Sequence, residues 1–371
     1  SSAKPKKVAA AAKKPEPGKK IERNEDLNKK DKKDKEEKQG SAALDAVINL
    51  VTLVKTVNVN YTESNGTVLP GYLEGLGFFG TSRPTLGFVF GSQQDVRYEA
   101  ARKGWLTAYP EFNQEYSRMH TERLNLRAEL KPFKDFVIDV RANRDYSTNM
   151  SEQYDLVGGN YNSRSPYEYG NFSTSTIMIG TAFGRSDVSG SAAFEQFKAN
   201  RLTVANRLAT ERGIDLGNPN NIDANGYPVG YGRTNQEVLI PAFLAAYQGK
   251  DINKQKSGFM SNIPLPNWQI TYRGLTNIGW VKNKFQRVTL SHGYTSGYTV
   301  NNFQTNYDYL ENPNVLNTSG NYPSKNVISN INMVESFSPL VRVDIETKSA
   351  VQFKAEIRKD RMLSMSFDNN L

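Results

Sequence analysis

The chain has 371 residues, no cysteine and only two histidines, and nowhere holds the 18 or so uninterrupted apolar residues that a membrane helix needs. Without cysteine there is no disulfide framework, no thiolate metal site and no cysteine nucleophile. His120 and His292 lie far apart and outside any metal-ligand spacing. Both read as structural or solvated side chains, and no metal or cofactor is expected. The missing apolar run leaves crossing by strands open. A mean hydropathy of -0.61 suits a transmembrane barrel as well as a soluble protein, because only alternate residues of a barrel strand face lipid. The chain starts at Ser1 with neither methionine nor a signal segment and closes at Leu371 in strand-like sequence, which reads as a piece of a longer polypeptide.

What is present is alternation. From Val341 to Phe367, ten of the 14 odd positions are apolar, whereas the 13 even positions hold only Ala350 and Met362 as apolar residues. Period two over such a length predicts one very long strand with one greasy and one wet face, more a barrel wall than an ordinary sandwich. A hairpin is predicted around Lys131-Pro132. Before it Leu124, Leu126, Ala128 and Leu130 alternate with polar residues, and after it so do Phe136, Ile138, Val140 and Ala142. Val57, Val59 and Tyr61 alternate with Asn58, Asn60 and Thr62, with a turn expected at Asn65-Gly66. Further strands are expected at Phe172 to Phe183, Trp268 to Leu275 and Phe285 to Tyr294.

Four regions follow. Residues 1–40 carry 14 Lys plus Arg against 8 Asp plus Glu, a net +6 of the chain's +9. With almost nothing apolar to bury, they read as a disordered Lys-rich linker, and no aromatic interleaves to stack on nucleic acid. Residues 41–191 read as barrel strands and loops, entered by a helix over Ala42 to Val54. Residues 192–265 read as a helical and loop insertion: helical spacing from Ala193 to Ala209, a turn-rich stretch, then a second helix from Asn235 to Tyr247 interrupted by Pro241. Residues 266–371 are strands again. Gly75 to Gly80 matches the dinucleotide fingerprint G-x-G-x-x-G, with Asp95 near the place of a ribose ligand. The match is rejected, because Thr81-Ser82-Arg83-Pro84 follows where a helix would have to open.

Several segments taken in order resemble the SprA/Sov family, the outer-membrane translocon of the type 9 secretion system in Bacteroidetes. They are Leu69-Pro70-Gly71-Tyr72, Gly87-Phe88-Val89-Phe90-Gly91-Ser92-Gln93, Gly104-Trp105-Leu106-Thr107, Gly226-Tyr227-Pro228-Val229-Gly230-Tyr231, Pro241-Ala242-Phe243-Leu244-Ala245-Ala246-Tyr247, Pro266-Asn267-Trp268, Thr289-Leu290-Ser291-His292-Gly293-Tyr294 and Leu363-Ser364-Met365-Ser366-Phe367. The resemblance runs from Val57 to the chain end and leaves the Lys-rich start uncovered. It implies a C-terminal portion of a very large single-chain barrel that exports folded cargo proteins, gliding-motility adhesins among them. The implied partners are the rest of the same barrel, a porin-like outer-membrane protein, a plug protein, cargo with a C-terminal signal domain, and membrane lipid. Nucleic acid is not among them, and no catalytic residue carries over.

The expected fold is therefore mostly β, a segment of a very large transmembrane antiparallel β-barrel with a mixed helical and loop insertion. A charge on the lipid face near midplane costs about 2 to 4 kcal/mol. Arg123, Arg127, Asp139, Arg141, Arg342, Asp344, Glu346, Lys354 and Glu356 are accordingly expected to face the lumen. Leu124, Leu126, Phe136, Ile138, Val140, Val341, Val343, Ile345, Val351 and Phe353 are expected to face lipid. Lys359 and Arg361 fall on the apolar side and are placed beyond the hydrocarbon, and Trp268, Tyr272, Tyr294 and Tyr298 are candidates for an interfacial aromatic girdle. The alternatives are a soluble or cell-surface β-sandwich adhesin, with its apolar faces shut between two sheets, and a glycan-active enzyme. The second would need a converging carboxylate pair that no motif here singles out.

Overall fold

The structure is a computed structural model that describes residues 53–75, 85–92, 94–109, 111–184, 186–187, 190–261 and 263–367. The Lys-rich start, all but the end of the helix expected over Ala42 to Val54, and most of the glycine-rich loop at Gly75 to Gly80 lie outside these residues. Alternation becomes strand throughout: β1 (Val54–Val68), β2 (Tyr116–Leu130), β3 (Phe136–Val157), β4 (Asn160–Ser175), the short pair β5 (Ser186–Asp187) and β6 (Gly190–Ser191), β7 (Asn267–Tyr272), β8 (Phe285–Thr305), β9 (Asn326–Ile328), β10 (Asn330–Thr347) and β11 (Gln352–Ser366). The described residues are mostly β, 47% strand and 23% helix. β3 and β8 have 22 and 21 residues, about four times the usual strand length.

One large antiparallel sheet has the order β1-β2-β3-β4-β8-β10-β11, seven lanes wide, with β7 pairing to β3 and β8 and β9 to β8. β4 and β7 share one lane. Thr174 of β4 lies opposite Arg144 and Tyr298, and Trp268 of β7 lies opposite Val140 and Tyr294. The chain thus leaves the sheet after Ser175, builds the insertion, and resumes the same lane at Asn267. The join is closed by hydrogen bonds: the Ser175 hydroxyl donates to the Leu265 carbonyl at 2.6 Å, and the Leu265 N–H donates to the Ser175 carbonyl at 3.0 Å.

Several expectations change at the level of elements. The closing alternation is two strands, β10 and β11, joined by a hairpin at Lys348 to Val351. Pairs such as Val343 with Ala355 and Asp344 with Lys354 have like parity, so the period continues in phase through the turn and the sequence shows no seam. Thr347 and Ser349, which break the apolar series, are turn residues: the Thr347 side chain hydrogen-bonds Ser349 and both backbone groups of Val351. Asn65-Gly66 makes no turn, since both pair with β2 opposite His120 and Met119. The strand expected over Phe172 to Phe183 begins earlier and ends at Ser175. Ile177 and Met178 instead lead into a single helical turn, Ile179–Ala182.

The insertion is anchored by α2 (Ala192–Glu211) and α3 (Gln236–Gln248); α1 (Arg97–Arg102) belongs to a smaller unit near the far end of β3 and β4. The Ser191 hydroxyl caps α2 at the Phe194 N–H, and the Asn235 side chain caps α3 at the Glu237 N–H. Pro241 sits inside α3 without interrupting it. One early hydrogen bond is forgone, while Ile240, Ala242, Phe243, Leu244 and Ala245 are buried around it. The main core joins these helices to Phe172, Tyr298, Val300, Ile331 and Met333 of the sheet. Gly170 permits that packing, since a Cβ there would lie 2.5 Å from the Phe303 ring. α1 is held by Arg97, which pairs with the buried Glu152 and lies over the Tyr116 ring at 4.5 Å.

Candidate functional site: a two-faced sheet

The candidate site is a surface. Register decides which side chains share it, because directly paired residues point to the same side of a sheet. Phe136, Tyr272, Leu290, Val343 and Ala355 stand side by side across five lanes. A second row reads Val57, Ala128, Val140, Trp268 and Tyr294. Between and beside them come Val59, Tyr61, Leu124, Leu126, Ile138, Ile270, Val288, Val341, Ile345, Phe353 and Ile357. Their union is an apolar band that crosses all seven lanes, interrupted by His292 opposite Ile270 and bounded by Arg144 opposite Leu124. With lanes about 4.8 Å apart and three rows about 6.8 Å apart, the band spans roughly 700 Å² of sheet, with Tyr294 and Val288 covered. Val57, Val59, Val341, Phe353 and Ile357 are exposed, Ile357 by 62%. No second sheet covers the band among the described residues.

The opposite side of the same rows is polar. Arg127 pairs with Asp139 at 3.3 Å, Arg123 with Asp145 at 3.8 Å, Arg287 with Glu346 at 2.9 Å, and Arg342 with Asp344 at 2.8 Å and with Glu356 at 3.9 Å. All nine residues expected to face a lumen, Arg141 and Lys354 included, lie on this side, and the ten expected to face lipid lie on the other or at its rim. Val351 is the rim case, being a residue of the β10–β11 hairpin and not of β11. The signs on the polar side are mixed, and such solvent-exposed pairs each contribute about 0 to 1 kcal/mol.

Aromatic clusters bound the band. At the turn end Phe133, Phe136 and Tyr272 meet, with ring centroids 4.6 Å apart for Phe133 and Phe136 and 5.8 Å for Phe136 and Tyr272. At the other end Trp268 stacks on Tyr294 at 4.5 Å, and Tyr294 meets Phe337 at 5.0 Å. Trp268 and Tyr272 thus stand in the aromatic clusters at the two ends of the band. Tyr294 and Tyr298 are instead nearly fully buried, Tyr294 with Ala182 and Phe337 against Ile177 and Leu340, and Tyr298 within the main core where the helices cover the same face.

That cover also resolves the two stray cations. Arg361 lies beyond the band, where it pairs with the buried Glu335 at 2.8 Å and donates to the Thr181 carbonyl at 3.1 Å. Glu335 in turn accepts from the Tyr294 hydroxyl at 2.8 Å. Lys359 rests over the Phe183 ring at 4.4 Å. The sequence held no sign of the Glu335–Arg361 pair, since neither residue stands in a motif. Val288, Leu290, Ile270 and Ile357 were absent from the expected lipid-facing set, although their alternation with Thr289, Ser291, Thr271 and Glu356 would have found them.

No family model matches the chain, and no curated protein matches it. Among the described residues no three His, Asp or Glu side chains converge as a metal-binding group. His120 is engaged by Glu122 at 3.0 Å, and His292 donates from Nδ1 to the Leu340 carbonyl at 2.7 Å. Asp95, the would-be ribose ligand, is bound by Arg97. Among the described residues no helix is long and apolar enough to cross a membrane, a fact without bearing on crossing by strands.

Proposed function

We propose that the chain is a sector of a protein-conducting outer-membrane β-barrel of the SprA/Sov kind, exporting folded cargo through the type 9 secretion system. The carrying observation is the apolar band running across every lane of the sheet with ion pairs on its reverse. In water such a band costs free energy; in a bilayer it is the surface that hydrocarbon wets, and the charged side borders a wet conduit. The eight residues Phe136 to Asn143 span about 27 Å along the strand before tilt, close to the roughly 25 Å apolar belt of such barrels. β1 and β11 each pair on one side only among the described residues. Free edges are not tolerated in hydrocarbon, so the reading requires neighbouring strands from the rest of the barrel. Mixed charge suits a passage that must not hold its cargo, and a conduit needs no catalytic centre. A porin-like partner, a plug protein and cargo bearing a C-terminal signal domain belong to the same reading, through the resemblance alone.

Because the chain has no cysteine, any introduced thiol is unique. In membranes that carry the protein, Val343→Cys and Ile138→Cys are expected to react with a membrane-confined label and to resist a charged water-soluble one. Asp344→Cys and Arg141→Cys are expected to do the reverse. Protection of Val343→Cys and Ile138→Cys from both labels, with Asp344→Cys and Arg141→Cys open to the charged one, would replace this reading with the β-sandwich adhesin.

A further inference from the structure

Where β4 leaves the sheet and β7 re-enters it, the insertion overhangs the banded face and encloses a cavity of about 580 Å³, the size of a small-ligand site. Its walls include Leu244, Phe259, Met260, Ile263 and Leu265. Met260 and Ile263 are exposed, Ile263 by 73%, so the apolar wall continues outward to the surface. Three lysines, Lys250, Lys254 and Lys256, also line it. None of the three has an ion-pair partner among the described residues, and burial lowers the Lys250 pKa from its ordinary value. Most polar groups of the lining are committed: the Ser175 hydroxyl to Leu265, Thr176 to Gln248 at 3.0 Å, and Asp251 to the Asn253 N–H at 3.0 Å. Tyr298 is the exception. It is 2% exposed, and its hydroxyl is buried without a hydrogen-bond partner, a state that costs stability until some group supplies one.

We propose that this cavity binds an anionic amphiphile, a phosphate-headed lipid whose acyl chain lies along Leu244, Phe259 and Leu265 and whose phosphate meets the three lysines. An ester oxygen of such a lipid would serve the Tyr298 hydroxyl. The membrane as the source of the lipid rests on the reading above; the chemistry of the cavity does not.

The test uses the full chain in octyl glucoside micelles, with bound species counted by native mass spectrometry after addition of phosphatidic acid, phosphatidylcholine or inorganic phosphate. One phosphatidic acid per chain is expected, retained at least ten-fold over phosphatidylcholine, with inorganic phosphate not retained. Lys254→Ala with Lys256→Ala is expected to cut retention about five-fold, and Tyr298→Phe about three-fold with no loss of melting temperature in the lipid-free protein. Equal retention of both lipids, displacement by inorganic phosphate, or retention unchanged in the lysine variant would each overturn the site. Thiol labelling at Val343 and Asp344 reports separately on the barrel, so lipid retention with failed labelling sinks the barrel and spares the site, and the converse outcome does the opposite.

Discussion

At the scale of single residues, the ion pair of Glu335 and Arg361 is the most consequential feature outside the band. Arg361 reaches from the outermost lane to the carbonyls of Met178 and Thr181, fastening the start of the insertion to the sheet. Removing one partner of a buried pair leaves the other charge uncompensated, at about 3 to 5 kcal/mol. Arg361→Ala is therefore expected to lower stability by about that much in denaturant unfolding. The double variant Glu335→Leu with Arg361→Met is expected to recover most of the loss, and no recovery would show that the contacts to Met178 and Thr181 dominate. Ala350 offers the opposite sign. It holds φ 65 in the β10–β11 turn, a left-handed conformation unfavourable to a side chain, so Ala350→Gly is expected to stabilise by about 0.5 to 1 kcal/mol. An unchanged or lower melting temperature would place the turn elsewhere.

At the scale of strands, the two faces should answer unequally to the same substitution. Val343 and Thr289 sit in adjoining lanes of the same stretch, β10 and β8, on opposite faces. Val343→Lys is expected to cost about 2 to 4 kcal/mol when the band lies in hydrocarbon, and Thr289→Lys less than about 1 kcal/mol, as wet-face changes do. The difference is read from denaturant unfolding of the membrane-borne protein. Equal costs would remove the lipid from the banded side. Strand existence and facing were legible in the sequence because period two is a local property: Ile138, Val140, Val341 and Val343 announce their side with no knowledge of their partners. Where strands end was less legible. β4 is almost devoid of apolar alternation from Asn160 to Gly170, so the greasy run Phe172 to Phe183 drew the expected strand too far along the chain.

At the scale of the whole molecule, β1 and β11 leave one side of the sheet unpaired at each end. In the isolated chain, about every second amide of these two strands should exchange quickly with solvent, while the stretches of β3, β8 and β10 paired on both sides, such as Ile138 to Arg141 and Leu290 to Ser291, are protected. Uniform protection of β1 and β11 would mean that strands of a second copy, or the two edges of the same sheet, already cover them. The insertion belongs to this scale too. Its helices were visible from apolar spacing in Ala193 to Ala209, yet that they stand on the banded face follows only from their packing on Tyr298, Val300 and Met333, and it is this placement that buries Tyr298.

The sequence by itself determined the mostly β character, the long two-sided strands and the sorting of Arg127, Asp139 and Asp344 away from Leu126, Ile138 and Val343, because alternation needs only neighbouring residues to be expressed. The tertiary structure alone decided that the final alternation folds back as a hairpin, that seven lanes align their apolar rows into one band, and that Arg361 finds Glu335. Each of these depends on register between segments far apart in the chain, and backbone pairing leaves no mark in the composition of either partner.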